Sequence, residues 1–280
     1  MSGPPPAFAL LTDFGLADPY VGQLKAILFS HAPSVPILDI SHEVPSFNVT
    51  TGAFFLAASR RYYPQGTIFI CVVDPGVGSN RDLLCIAGEK HTLLGPDNGL
   101  LSLAYRDMMQ EGSVTIHTVT HTLPERDNAG GNAVSATFHG RDILAPIAAL
   151  LANGAAITTL STNSRTEIVM PAWSEAQHAP GEGICTVLHV DKFGNCILNL
   201  PNNGEQLFYP SLSVYLPHSG KSHLLHQVSH YAALPSGTLG ILPGGQGFYE
   251  LALANSSAAQ HLGLTSGDRC HIRGDLWKSP

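Results

Sequence analysis

Near residue 165 the chain changes pattern, and that change limits what it can fold into. Before it, short apolar runs alternate with amphipathic ones. The runs at 8–12 and 35–40 read as strands, and those at 20–30 and 48–62 as helices with apolar residues on one face. Further β-rich runs at 67–73 and 82–87 flank a Pro/Gly turn and predict a hairpin or neighbouring strands. Helices are expected again at 99–108 and 143–151. Strands alternating with helices are the pattern of a layered α/β sheet. Beyond the change, short β-type runs at 184–190, 196–200, 212–216, 238–242 and 248–253 follow one another between Gly, Asn and Pro turns. The expected architecture is an α/β N-terminal domain with a layered central sheet over 1–166. A Pro/Gly-rich linker follows over 167–183, then a smaller all-β, barrel-like domain over 184–280.

Composition narrows the function classes. Only 12% of the 280 residues are charged, against about 25% in ordinary globular domains. With 44% hydrophobic residues, few charges are left to cover the surface, and a subunit interface is the expected use of the surplus. The net charge of −7 argues against nucleic acid as a partner, since phosphate binding needs a basic patch. No apolar run reaches the 18 residues of a membrane span, and 1–6 lacks the marks of a signal peptide, so a cytoplasmic location is expected. The five cysteines are never spaced as CxxC, which predicts reduced, buried thiols.

Several motifs fail. Gly76-Val77-Gly78 opens like a dinucleotide loop, but Arg81 stands where the third glycine belongs. His223, His226 and His230 have a helix-like spacing without a carboxylate, in a stretch that Pro217, Gly220 and Lys221 mark as a loop; no metal is expected.

Acidic residues at strand ends remain. Asp13 follows an apolar strand, where α/β folds place ligands; it suits either a ribose diol or a helix N-cap, and Asp18 shares the ambiguity. Asp74 and Arg81 bracket a six-residue turn and can meet across its base, as a structural pair or a working one. His139 precedes an expected helix start. Together, Asp, Arg and His at loop ends can bind and orient a water. In the second half, Asp191-Lys192-Phe193-Gly194-Asn195 is either a plain β-turn or a place where Asn reads an adenine edge, Phe packs on the base and Asp binds an ammonium.

Six segments together resemble the adenosine-forming S-adenosylmethionine hydrolases, or SAM hydroxide adenosyltransferases, relatives of fluorinase and chlorinase. They are LLTDFGLADPYVGQLKA (10–26), VVDPGVGSNR (72–81), GPDNG (95–99), TFHGRDILAP (137–146), VDKFGNCILN (190–199) and FYELALANSSAA (248–259). They run in the family's order over nearly the whole chain. The resemblance implies a homotrimer with each active site between one subunit's N-terminal domain and its neighbour's C-terminal domain. It implies water activation by Asp74, Arg81 and His139, ribose binding by Asp13, with Asp18 and Phe47 nearby, ammonium binding by Asp191, and adenine contacts by Phe193 and Asn195. S-adenosylmethionine is then the substrate and adenosine a product, with no cofactor. The alternatives are a chlorinase-type halogenase and a non-catalytic SAM or adenosine sensor. One departure stands out. Where the family often has Asn-Ser before a glycine, this chain reads Gly244-Gly245-Gln246-Gly247, and Gln246 is the candidate substitute for holding the methionine carboxylate.

Overall fold

The computed structural model describes residues 6–119, 134–179, 181–202 and 211–274. It divides into two compact units, Met1–Met170 and Pro171–Pro280.

The first unit is built on a seven-stranded sheet of β1 (Phe8–Thr12), β2 (Ile37–Ser41), β3 (Ile68–Val72), β4 (Leu83–Gly88), β5 (Thr92–Pro96), β6 (Val114–Val119) and β7 (Ser161–Arg165), in the order β2-β1-β3-β5-β4-β6-β7. The first four are parallel neighbours, and the remaining pairings are antiparallel. Strands β1 and β3 are apolar throughout because both faces are covered. Phe8, Leu10, Ile68 and Ile70 pack with Leu24 and Leu28 of helix α1 (Tyr20–His31) and Ile147 and Ala148 further along the chain. Their alternates Ala9, Leu11, Phe69 and Cys71 pack on the other face with Leu56 of α2 (Val49–Arg60) and Ala104 and Met108 of α3 (Ser102–Glu111). Burial at period two on both faces makes three layers, as expected.

The expected hairpin of 67–73 with 82–87 is not formed. Strand β5 lies between β3 and β4 and pairs with both. The hairpin is β4 with β5, closed by Gly88 N–H donating to the His91 carbonyl at 3.0 Å. That short connection closes sooner than the long excursion from β3 to β4. The run Thr-Leu-Leu-Gly-Pro is too brief and too rich in turn formers to read as a strand.

In the second unit seven strands close into a barrel, β10-β14-β13-β12-β11-β15-β9 and back to β10. These are β9 (Glu182–Val190), β10 (Cys196–Pro201), β11 (Leu212–Leu216), β12 (Lys221–Gln227), β13 (Leu239–Pro243), β14 (Phe248–Leu253) and β15 (Arg269–Gly274); β8 (Gln177–Ala179) adds to β9. Only β12 with β13 is parallel among them. Inward residues such as Val187, Leu198, Val214, Ile241, Leu251 and Ile272 fill the interior. The 167–183 stretch holds a 3-10 turn, Ala172–Ser174, besides β8. On the side of β9 away from β15, β8 covers 182–184 and β10 covers 187–190. Between them the Thr186 N–H donates to the Asn199 side-chain oxygen at 2.8 Å, and the Asn199 amide donates to the Trp173 carbonyl at 3.0 Å.

Candidate active site

Each unit carries one cavity of interest. In the first, of about 380 Å³, residues from the ends of β1 and β3 meet residues 137–140. Asp74 directly follows the buried run of β3. Arg81 donates through Nε to Asp74 Oδ1 at 2.6 Å and pairs again through Nη2 with Oδ2. The Gly76 N–H also donates to Oδ1 at 3.2 Å. The pair therefore forms without a hairpin, because the turn at 74–81 folds back on itself. Gly78 makes this possible. Its φ is +81°, and a Cβ there would sit 2.8 Å from the Ala136 carbonyl oxygen.

His139 caps a π-helical turn, Gly140–Leu144, that runs into helix α4 (Ala145–Ala152). Such turns are frequent at functional sites. Its Nδ1 lies 3.5 Å from Arg81 Nη2. A guanidinium only donates, so Nδ1 faces it as the acceptor and Nε2 carries the hydrogen. Burial, and then the Arg81 charge, hold the imidazole below its ordinary pKa despite Asp142. The ring is kept neutral.

Asp13 caps no helix. Its Oδ2 accepts from the Phe47 N–H at 2.9 Å, tying the loop after β1 to the loop after β2. Phe47 has φ 66°, a left-handed conformation disfavoured for a bulky residue, and its ring is 69% exposed beside the cavity. Asp18 sits in an exposed bend before α1 and does not line the cavity. The helix there is capped by Pro19, without a side-chain bond.

The second cavity, of about 720 Å³, gathers Asp191, Phe193, Asn195 and Tyr231. Residues 191–195 form the turn joining β9 to β10, so the turn reading and the site reading describe the same atoms. Asp191 Oδ1 accepts from the Phe193 and Asn195 backbone N–H groups, and Oδ2 from the Asn195 amide, each at 2.9 Å. Asn195 keeps its side-chain oxygen and one N–H for another partner. Gly194, at φ +86°, packs so close to Ser257 that a Cβ would overlap its hydroxyl. Gln246 is exposed in a turn and does not line this cavity.

Sequence reasoning missed four residues beside these sites. The Tyr231 hydroxyl donates to Glu250 Oε2 at 2.5 Å, which sets the ring on the cavity wall. Burial, and then the Asp191 charge, raise the Glu250 pKa against the effect of that bond. Thr12 and His42 join beneath Asp13, with Oγ1 and Nδ1 2.8 Å apart. Both pairings span too many residues for a spacing rule to find. The histidines at 223 and 226 lie on β12, not in a loop or on a helix, and three positions along a strand put them on opposite faces. Among the described residues no group of three His, Cys, Asp or Glu is placed to hold a metal ion, and no helix is long and apolar enough to cross a membrane.

Comparison with known proteins agrees with this division. The SAM hydroxide adenosyltransferase N-terminal domain matches residues 8–161 and the C-terminal domain of the same family matches 185–271. An (R)-S-adenosyl-L-methionine hydrolase from Salinispora tropica is 34% identical over 271 residues, 96% of this chain and 98% of its own. A protein of the same name from Thermus thermophilus is 32% identical, covering 92% and 95%. A fluorinase from an Actinoplanes species is more distant, at 24% over 70% of this chain and 72% of its own. The crystal structure of an uncharacterized conserved protein from Thermotoga maritima matches with a TM-score of 0.79 at 29% identity, covering 95% and 99%. With one family domain matched across the sheet unit and its companion across the barrel, in the order the motifs run, the chain belongs to the SAM hydroxide adenosyltransferase family.

Proposed function

We propose that this protein hydrolyses S-adenosyl-L-methionine to adenosine and L-methionine. The observation that carries the proposal is the meeting of Asp74 and His139 with Asp13 in one cavity, with Arg81 paired to Asp74 behind them. The water oxygen attacks C5′, the C5′–S bond breaks with its electron pair going to sulfur, and one proton is released. A sulfonium leaves as a neutral thioether, so the reaction needs neither a metal nor another cofactor. What the site must supply is a water held in line, and such positioning is worth up to about 7–11 kcal/mol.

The His139 tautomer divides the labour. With Nδ1 turned to Arg81 and Nε2 protonated, the ring has no lone pair for the water's proton. His139 donates to the water oxygen, and Asp74 accepts the water's hydrogen and then its proton. Arg81 holds Asp74 and balances its charge. Asp13 takes the ribose diol, with Phe47 beside it. Asp191 takes the methionine ammonium, and Asn195 and Phe193 take the adenine edge and face.

We place the whole site between subunits of a homotrimer. The first cavity offers groups for a diol and a water, and the second offers aromatic rings and an amide for a base. The low charge content supports an interface, and the five buried free thiols suit a reducing cytoplasm.

The test is incubation with S-adenosyl-L-methionine in concentrated chloride, with products separated by chromatography. Adenosine is expected as the main product. An anion about 4 Å from Asp74 meets a repulsion of roughly 4 kcal/mol at an effective dielectric near 20, less what Arg81 offsets, whereas water meets none. 5′-Chloro-5′-deoxyadenosine as the main product overturns the hydrolase reading, and tight binding without turnover indicates a sensor. Mixing Asp13→Ala with Asn195→Ala subunits should restore activity in part. No recovery after verified subunit exchange places the site within one chain.

A further inference from the structure

We infer that His42 is a positioning residue, whose imidazole locks the loops after β1 and β2 together and so sets the Asp13 carboxylate for the ribose diol. The inference rests on the reading of Asp13 as the ribose-binding group.

Three hydrogen bonds join the two loops. The Gly15 N–H donates to the His42 carbonyl at 2.7 Å, Thr12 Oγ1 lies 2.8 Å from His42 Nδ1, and the Phe47 N–H donates to Asp13 Oδ2 at 2.9 Å. His42 takes part in two of them, and the third ends on Asp13 itself. Thr12 and His42 are both buried, at 0% and 4% exposure. Neither can turn to water for a replacement partner, so losing one leaves the other unsatisfied.

The direction of the bonds follows from the far side of the ring. His42 Nε2 lies 3.1 Å from Asp39 Oδ1, turned to the carboxylate but off the line of a full hydrogen bond. Lys25 Nζ donates to the other oxygen of Asp39 at 2.7 Å. Burial opposes ionisation of Asp39, but Lys25 and His42 together hold its carboxyl below the ordinary value. A carboxylate only accepts, so Nε2 carries the hydrogen and Nδ1 is left to accept from the Thr12 hydroxyl. The Thr12 oxygen then faces the Phe14 N–H at 3.3 Å. The string Thr, His, Asp has the order of a hydrolytic triad, yet Thr12 is fully buried and reaches no substrate. Its hydroxyl is an anchor, on the residue immediately before Asp13. Lys25 on α1 and Asp39 on β2 thus brace, through one ring, the backbone that aims the carboxylate.

The test compares adenosine with 2′,3′-dideoxyadenosine by calorimetry, because a diol-directed role moves the first and not the second. Wild type should prefer adenosine, and Asp13→Asn should remove most of that preference. His42→Ala and the near-isosteric Thr12→Val should each weaken adenosine about tenfold, near 1.4 kcal/mol, with dideoxyadenosine changed less than about twofold. His42→Asn, whose amide can present an oxygen near the place of Nδ1, should recover most of the loss. An unchanged preference in both His42→Ala and Thr12→Val, or an equal loss of both ligands, overturns the inference. If His42→Ala does not fold, Thr12→Val decides alone. A wild type without preference, or an Asp13→Asn variant that keeps it, instead overturns the ribose reading beneath the inference.

Discussion

In the first cavity the Asp74 carboxylate is met by a guanidinium; in the second the Asp191 carboxylate is met by amides of its own turn. The Asp74–Arg81 pair joins opposite charges, whereas the three donors that meet Asp191 are neutral amides. A neutral pair suits a neutral water that must be oriented, and an amide-solvated carboxylate suits a cation that must be held. Among the described residues, the two non-glycine positions with a left-handed backbone, Phe47 and Asn255, divide in the same way, one beside each cavity. Under the proposed function the Asp74–Arg81 pair governs turnover and the Asp191 turn governs affinity.

Breaking Asp74 separates them most widely. Asp74→Ala should lower kcat by about 10²–10⁴-fold, the span of acid–base contributions, while adenosine affinity by calorimetry stays within about twofold. Matching losses in both would merge the two cavities' roles. Asn195→Ala should do the reverse, raising KM by about 10–100-fold for one lost, otherwise buried, polar contact of 1–3 kcal/mol, with kcat much less affected. A kcat loss as large as that of Asp74→Ala would remove the distinction.

His139 sharpens the comparison within the first cavity. A glutamine amide reaches the place of Nε2 and an asparagine amide that of Nδ1. His139→Gln should therefore retain turnover within about tenfold, and His139→Asn should lose about a hundredfold. The opposite ranking in steady-state kinetics makes His139 the base. The smallest effect is on the pH profile. The neutral ring is the working form, and its pKa is lowered by burial and Arg81. Activity is then lost only as pH falls through that lowered value, below the ordinary imidazole range. An acid limb above 6.5 in the kcat profile would mean the imidazole is not held neutral by its surroundings.

What could be read from the sequence was local. Asp191, Phe193 and Asn195 lie within one turn, and Asp74 and Arg81 bracket another, so their spacing already limits where their side chains go. The buried runs of β1 and β3 have one structural outcome, because only a sheet covered on both faces tolerates them. Tyr231 with Glu250 and Thr12 with His42 are different. They are 19 and 30 residues apart, and each depends on which strands become neighbours. Strand β12, Lys-Ser-His-Leu-Leu-His-Gln, was hidden for a related reason. Its polar, exposed positions look like loop until the barrel supplies the partners that make it a strand. Strand β5 was hidden by brevity, and with it the true neighbours of β3 and β4.

Asn199 has a consequence for handling the protein. A closed barrel offers other chains no unpaired strand edge, yet along β9 the cover passes from β8 to β10, and a side chain bridges the join. Where that amide is lost, the Trp173 carbonyl in the 3-10 turn loses its donor, and the Thr186 N–H is left open on a strand bordered by apolar residues. Such a strand recruits its like from a second molecule. A residue whose replacement is expected to show as insoluble protein in a growing cell therefore lines neither cavity. It is a buried asparagine that keeps the barrel's seam from pairing with a stranger.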